Sequence, residues 1–113
     1  MVLIVRGELR LTPGKAIAQA AHAAVDLARL AESRAPALAA RWRATGQKKI
    51  ALRAETLDEM ILLERHARSL RILVAWIEDA GLTEVPAGTR TCLAIGPAPG
   101  TLLDQVTGQL DLY

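Results

Sequence analysis

Val2-Leu3-Ile4-Val5-Arg6-Gly7-Glu8-Leu9-Arg10-Leu11-Thr12-Pro13-Gly14-Lys15 opens the chain, and its reading decides the fold class. Val2 to Val5 is a short apolar run that ends in a polar Arg6-Gly7-Glu8 stretch, the pattern of a buried strand. Thr12-Pro13 then marks a helix start: the threonine caps, and proline takes the first helical position, where its missing N–H costs nothing. A strand followed at once by a helix begins an alternation that continues along the chain.

The first helix is expected from Pro13 to about Glu32, broken by Ser33-Arg34-Ala35-Pro36. A shorter helix carrying Leu38 and Trp42 follows, with Gly46 as its left-handed cap. Lys48 to Ala54 reads as a second strand. Thr56-Leu57-Asp58-Glu59 has capping-box spacing and starts a third helix reaching about Leu70. Ile72 to Ile77 is a third strand whose continuous apolar character predicts burial on both faces. Residues 79–88 are rich in turn formers and lead to a fourth strand, Thr89 to Ile95. Gly96-Pro97-Ala98-Pro99-Gly100 stops it, and a last helix, about Thr101 to Thr107, leaves a Leu110–Leu112 tail. Such alternation predicts an α/β layered fold around a small, mostly parallel or mixed sheet, with ligands beyond the carboxyl ends of strands.

With 113 residues, no repeat and no Gly/Ser linker, the chain reads as a single domain, 1–113. Although 51% of residues are apolar, no uninterrupted apolar run approaches a membrane span, so a protein with no membrane association and no cleaved signal is expected. The single cysteine, Cys92, excludes an intrachain disulfide and a cysteine-based zinc cluster, and a reducing cytoplasm suits it. The net charge of +2 is unevenly spread. Residues 1–50 hold nine Lys/Arg against three Asp/Glu, and residues 51–113 hold five against nine. A basic first half is compatible with a phosphate-bearing partner.

Lys15, Gln19, His22, Asp26 and Arg29 recur at spacings of four and three, so they share one face of the first helix. Ile17, Ala20, Ala24, Leu27, Ala28 and Ala31 lie opposite, as a small-residue face suited to packing on a sheet. Periodicity alone equally suits a solvated stripe. Lys15 stands out by position, because a cation in the first helical turn opposes the helix dipole and gains by facing an anion. His22 lies one turn from Asp26, which places a carboxylate near an imidazole for proton transfer. Asp79 follows a strand directly, and Thr83 and Thr91 add hydroxyls from the next loop and strand. Ordinary turn chemistry also uses Asp and Thr. Ester hydrolysis, however, needs a positioned water, a group to steer its proton and donors for the oxyanion, parts that Asp79, the threonines and Lys15 can supply.

Five stretches carry a resemblance: Gly14-Lys15-Ala16-Ile17-Ala18-Gln19-Ala20-Ala21-His22-Ala23, Gly46-Gln47-Lys48-Lys49, Asp79-Ala80-Gly81-Leu82-Thr83, Thr91-Cys92-Leu93-Ala94-Ile95-Gly96-Pro97 and Val106-Thr107-Gly108-Gln109-Leu110. In this order they resemble the signature blocks of the archaeal and eukaryotic type of peptidyl-tRNA hydrolase, over nearly all the chain. The resemblance implies a three-layer α/β/α fold with a mixed four-stranded sheet, commonly dimeric, that cleaves the ester between peptide and tRNA without a metal or organic cofactor. It implies catalytic roles for Lys15, Asp79, Thr83 and Thr91, with His22 and Gln19 alongside. Lys48 and Lys49 are read as contacts to tRNA phosphates. The chain departs from the usual pattern at Glu8, Leu11, Pro13 and Gln109. An RNA-binding module without turnover and a protein-interaction domain are the rival readings, and neither needs a carboxylate and two hydroxyls beside the lysine.

Overall fold

A computed structural model describes residues 1–113. In chain order it contains β1 (Val2–Arg6), a 3₁₀ turn (Gly7–Leu9), α1 (Pro13–Arg34), α2 (Pro36–Ala44), β2 (Ile50–Ala54), α3 (Leu57–Ser69), β3 (Val74–Glu78), β4 (Arg90–Ile95), α4 (Gly100–Thr107) and β5 (Asp111–Leu112). The expected strand-helix alternation is present, and the caps are where their chemistry predicts. Thr12 accepts a hydrogen bond from the Lys15 N–H at 3.5 Å, with Pro13 at the first helical position. Thr56 accepts from the Glu59 N–H at 3.2 Å, but the Glu59 carboxylate reaches back to the Glu55 N–H at 2.8 Å instead of the Thr56 N–H. Gly46, after α2, has φ +98°, the left-handed conformation that glycine adopts without a Cβ penalty.

The sheet is mixed, as the resemblance implies, but it has five strands rather than four, in the order β3-β4-β1-β2-β5. Only β1 and β2 are parallel. The added strand is the short tail: Leu112 pairs with Leu52 and Asp111 with Arg53, along the otherwise open edge of β2. Two residues carry no periodic signal, so this pairing depends on an edge that exists only once the sheet has formed.

Alternation along the central strands divides the core into two. Val2 and Ile4 of β1, with Leu93 and Ile95 of β4, join Met60, Leu63 and Val106 from α3 and α4 on one face. Leu3 and Val5, with Cys92 and Ala94, meet Ala16, Ala23 and Leu27 of α1 on the other. This period of two produces the three-layer α/β/α arrangement. No helix is long and apolar enough to cross a membrane.

Two expectations are refined. β3 does pack on both faces, Val74 in one cluster and Ile77 in the other, but as an edge strand it leaves Ala75 and Trp76 only half-buried, whereas the central strands β1 and β4 are buried almost throughout. The buried side of α1 is also rotated from the expected one. Ile17 is 70% exposed, whereas Gln19, expected on the polar stripe, is only 4% exposed. Small residues Ala16, Ala23, Ala24 and Ala31 let α1 lie close on the sheet, and this seam carries Gln19 inward with it.

Candidate active site

The end of β3 delivers Asp79 into a closed turn. Its N–H donates to the Thr89 carbonyl at 2.9 Å, and its carbonyl accepts from the Gly88 N–H at 2.8 Å, so the 79–88 loop is tied at its base. Gly81 has φ +80°, and a Cβ there would stand 2.4 Å from the Ala87 backbone nitrogen, so two arms of the loop approach closely only because residue 81 is glycine. Across this loop runs the start of α1. Lys15 Nζ lies 2.6 Å from Asp79 Oδ2 and 3.2 Å from Oδ1, Gln19 Nε2 donates to Oδ2 at 3.2 Å, and the Gly81 N–H donates to Oδ1 at 3.1 Å. The Asp79 side chain is buried, with 4% of its surface exposed.

Together these interactions fill the roughly four lone-pair directions of a carboxylate. The Lys15 ammonium, followed by the Gly81 N–H, holds the Asp79 carboxyl below the usual aspartate range, against the opposing effect of burial. Asp79 is therefore an ionised, fully engaged group, better suited to orienting Lys15 and Gln19 than to removing a proton from water.

The same loop is latched to the helix start. Glu84 accepts from the Thr12 N–H at 3.0 Å and, through its other oxygen, from the Thr12 hydroxyl. Those Thr12 hydrogen bonds hold the Glu84 carboxyl below its usual range. The first turn of α1 has no acidic residue of its own. Asp79 and Glu84, both from the loop, supply the negative charge that the positive end of the helix dipole favours. Glu84 was not singled out by the sequence, where it is one acid in a turn-rich stretch with no sign of a partner 72 residues away.

An open cleft of about 440 Å³ adjoins this network, lined by Lys15, Gln19, His22, Asp26, Asp79 and Thr83 among others. His22 and Asp26 lie on its wall without a hydrogen bond between them, and both are exposed. Thr83 also lines it, exposed at the loop tip. Thr91 is brought near by chain connectivity but not into the cleft. It is the extra residue of a bulge, since Ile77 pairs with Cys92 and Glu78 with Arg90, and its hydroxyl, fully buried, donates to the Ile77 carbonyl at 3.4 Å. Burial pushes the Cys92 thiol up to about 12, so no thiolate is available there near neutral pH.

Lys48 and Lys49 lie apart from the cleft. The Lys48 carbonyl accepts from Trp42 Nε1 at 3.1 Å, and Lys49 Nζ sits 5.1 Å from the centre of the Trp42 ring. Arg29, Trp42, Arg43 and Lys49 line a separate hollow of about 320 Å³ on the other flank of α1.

Residues 1–113 match the family described as Peptidyl-tRNA hydrolase PTH2. The chain belongs to that family. Among PTH2-type relatives, the peptidyl-tRNA hydrolase of Thermococcus onnurineus is 47% identical over 111 residues, covering 98% of this chain and 94% of its own. That of Pyrobaculum aerophilum is 44% identical over 115 residues, covering 100% and 96%. The mouse protein named peptidyl-tRNA hydrolase 2, mitochondrial, is 42% identical over 113 residues; this chain spans 62% of its length. Within this PTH2 chain the unusual positions have local duties. Glu8 accepts from Arg6 Nε at 2.6 Å and the Leu57 N–H at 3.3 Å, Leu11 is buried against α1, and Pro13 begins that helix. Gln109 Nε2 donates to the Val106 carbonyl at 3.3 Å.

Proposed function

We propose that the protein hydrolyses the ester between the peptide, or an N-blocked amino acid, and tRNA in peptidyl-tRNA. The observation that carries the reading is the part-buried Lys15–Asp79 pair opening on a cleft at a strand's carboxyl end, in a chain of the peptidyl-tRNA hydrolase PTH2 family. The oxygen of a water bonds to the ester carbonyl carbon, the bond to the ribose oxygen breaks, and that oxygen leaves with a proton. Lys15, oriented by Asp79, stabilises the negative charge that develops on the carbonyl oxygen. Gln19 completes the cage around Asp79. Thr83 and His22, whose side chains have no internal hydrogen-bond partner, are the groups free to hold the water and the substrate. Thr91 acts indirectly, by fixing the end of β3 from which Asp79 emerges.

In the same reading the Lys48–Lys49 side of α1 receives tRNA phosphates, and the protein works as a cytoplasmic homodimer without metal or organic cofactor. Incubation of the purified protein with N-blocked aminoacyl-tRNA, beside Lys15→Ala and Asp79→Asn variants, tests the activity. Ester cleavage by the parent and its loss in both variants are expected. No cleavage by the parent would overturn the reading. Sedimentation at two ionic strengths checks the dimer.

A further inference from the structure

Strand β3 has a neighbour on one side only. The Leu73 carbonyl accepts from the Gly96 N–H at 2.9 Å, Ile77 offers its carbonyl to Thr91, and Asp79 exchanges bonds with Thr89 and Gly88, so residues 73, 77 and 79 direct their backbone groups toward β4. In an antiparallel ladder that direction alternates. Val74, Trp76 and Glu78 therefore carry their N–H and C=O groups on the free side. No turn or loop hydrogen bond uses those of Trp76 or Glu78. Trp76, Ile77 and Glu78 also line the cleft that contains Lys15 and Asp79. A free strand edge thus leads straight into the Asp79 loop, with α1 forming a wall beside it.

We propose that this edge binds the peptide part of the substrate as an added strand, parallel to β3, with its C-terminal ester carbonyl at Lys15. The inference rests on the hydrolase reading above and deepens it. The direction follows from the placement of the reacting bond: the ester lies beyond the carboxyl end of β3, so the peptide's earlier residues run back toward Trp76. The Trp76 N–H then donates to one peptide carbonyl, and the Trp76 carbonyl accepts from a peptide N–H two residues further on. Recognition through main-chain groups accepts any side chains, which is the chemistry a substrate of variable sequence requires. Peptide side chains alternate between the His22–Asp26 wall and the solvent-facing side of the trough.

The test uses tRNA charged with N-acetylated peptides of one to four residues, and the same tetrapeptide N-methylated at single amides. kcat/KM should rise with length whatever the side chains, and N-methylation should lower it several-fold at alternate amides, leaving the amides between them unaffected. Equal rates for one and four residues, or equal effects of methylation at adjacent amides, would overturn the added strand while leaving ester hydrolysis standing. Absence of cleavage for every substrate would overturn both readings.

Discussion

The two flanks of α1 use the same kind of charge in opposite ways. On one, the Lys15 ammonium is locked to a carboxylate with 4% of its side-chain surface exposed, inside a hydrogen-bonded cage. On the other, Lys49 stacks on Trp42 and bonds only the Gln47 carbonyl at 2.8 Å, while the Arg43–Glu32 pair lies in solvent. A buried pair is costly to break because the remaining charge has nowhere to go, whereas an exposed cation is screened and exchanges partners readily. The first flank is built to hold one geometry, as chemistry requires. The second is built to meet a mobile polyanion.

The largest effect should come from breaking the caged flank. Asp79→Asn or Lys15→Ala should lower kcat by on the order of 100–1,000-fold, measured as ester cleavage at saturating substrate. A change in KM alone would place both residues with the solvated flank instead. Loosening the cage without touching it should do less. Glu84→Ala frees the loop from Thr12, and kcat should fall about 10-fold, short of the ~100-fold that a 1 Å misplacement can cost, with Glu84→Gln restoring part of it.

On the open flank, the double change Lys48→Ala, Lys49→Ala should raise KM and leave kcat unchanged. The slope of log affinity against log salt should flatten by about two, one for each phosphate that no longer meets a lysine. An unaltered slope would remove this flank from the RNA surface. A smaller effect is expected at Thr91→Val, which deletes the hydroxyl donating to Ile77; urea unfolding should show a loss of about 1 kcal/mol.

The pH response separates the flanks as well. Because the folded-state pKa of Asp79 lies below its unfolded value, the cage contributes stability above the unfolded value of about 3.9 and loses it as pH falls toward the folded one. Urea midpoints should therefore drop below about pH 4 in the parent and drop less in Asp79→Asn.

Local chemistry made much of this legible in advance. Thr12-Pro13 and Thr56 announced helix starts because capping is satisfied within a few residues. The 4-3 spacing put Lys15, Gln19 and His22 together because helical periodicity is a property of the backbone. The pairings that give these residues meaning are not local. Lys15 and Asp79 are 64 positions apart, Thr12 and Glu84 72, and no spacing rule links them.

The sequence by itself determined the layered α/β class, the start of the first helix and the strand-end position of Asp79, all consequences of short-range capping and of periods of two and 3.6. Only the tertiary structure decided the fifth strand, the inward turn of Gln19, the edge position of β3 and the saturation of Asp79 by Lys15, Gln19 and the Gly81 N–H. Each depends on which surfaces meet when two layers of helix close on one sheet, and that is a matter of packing between residues far apart in the chain.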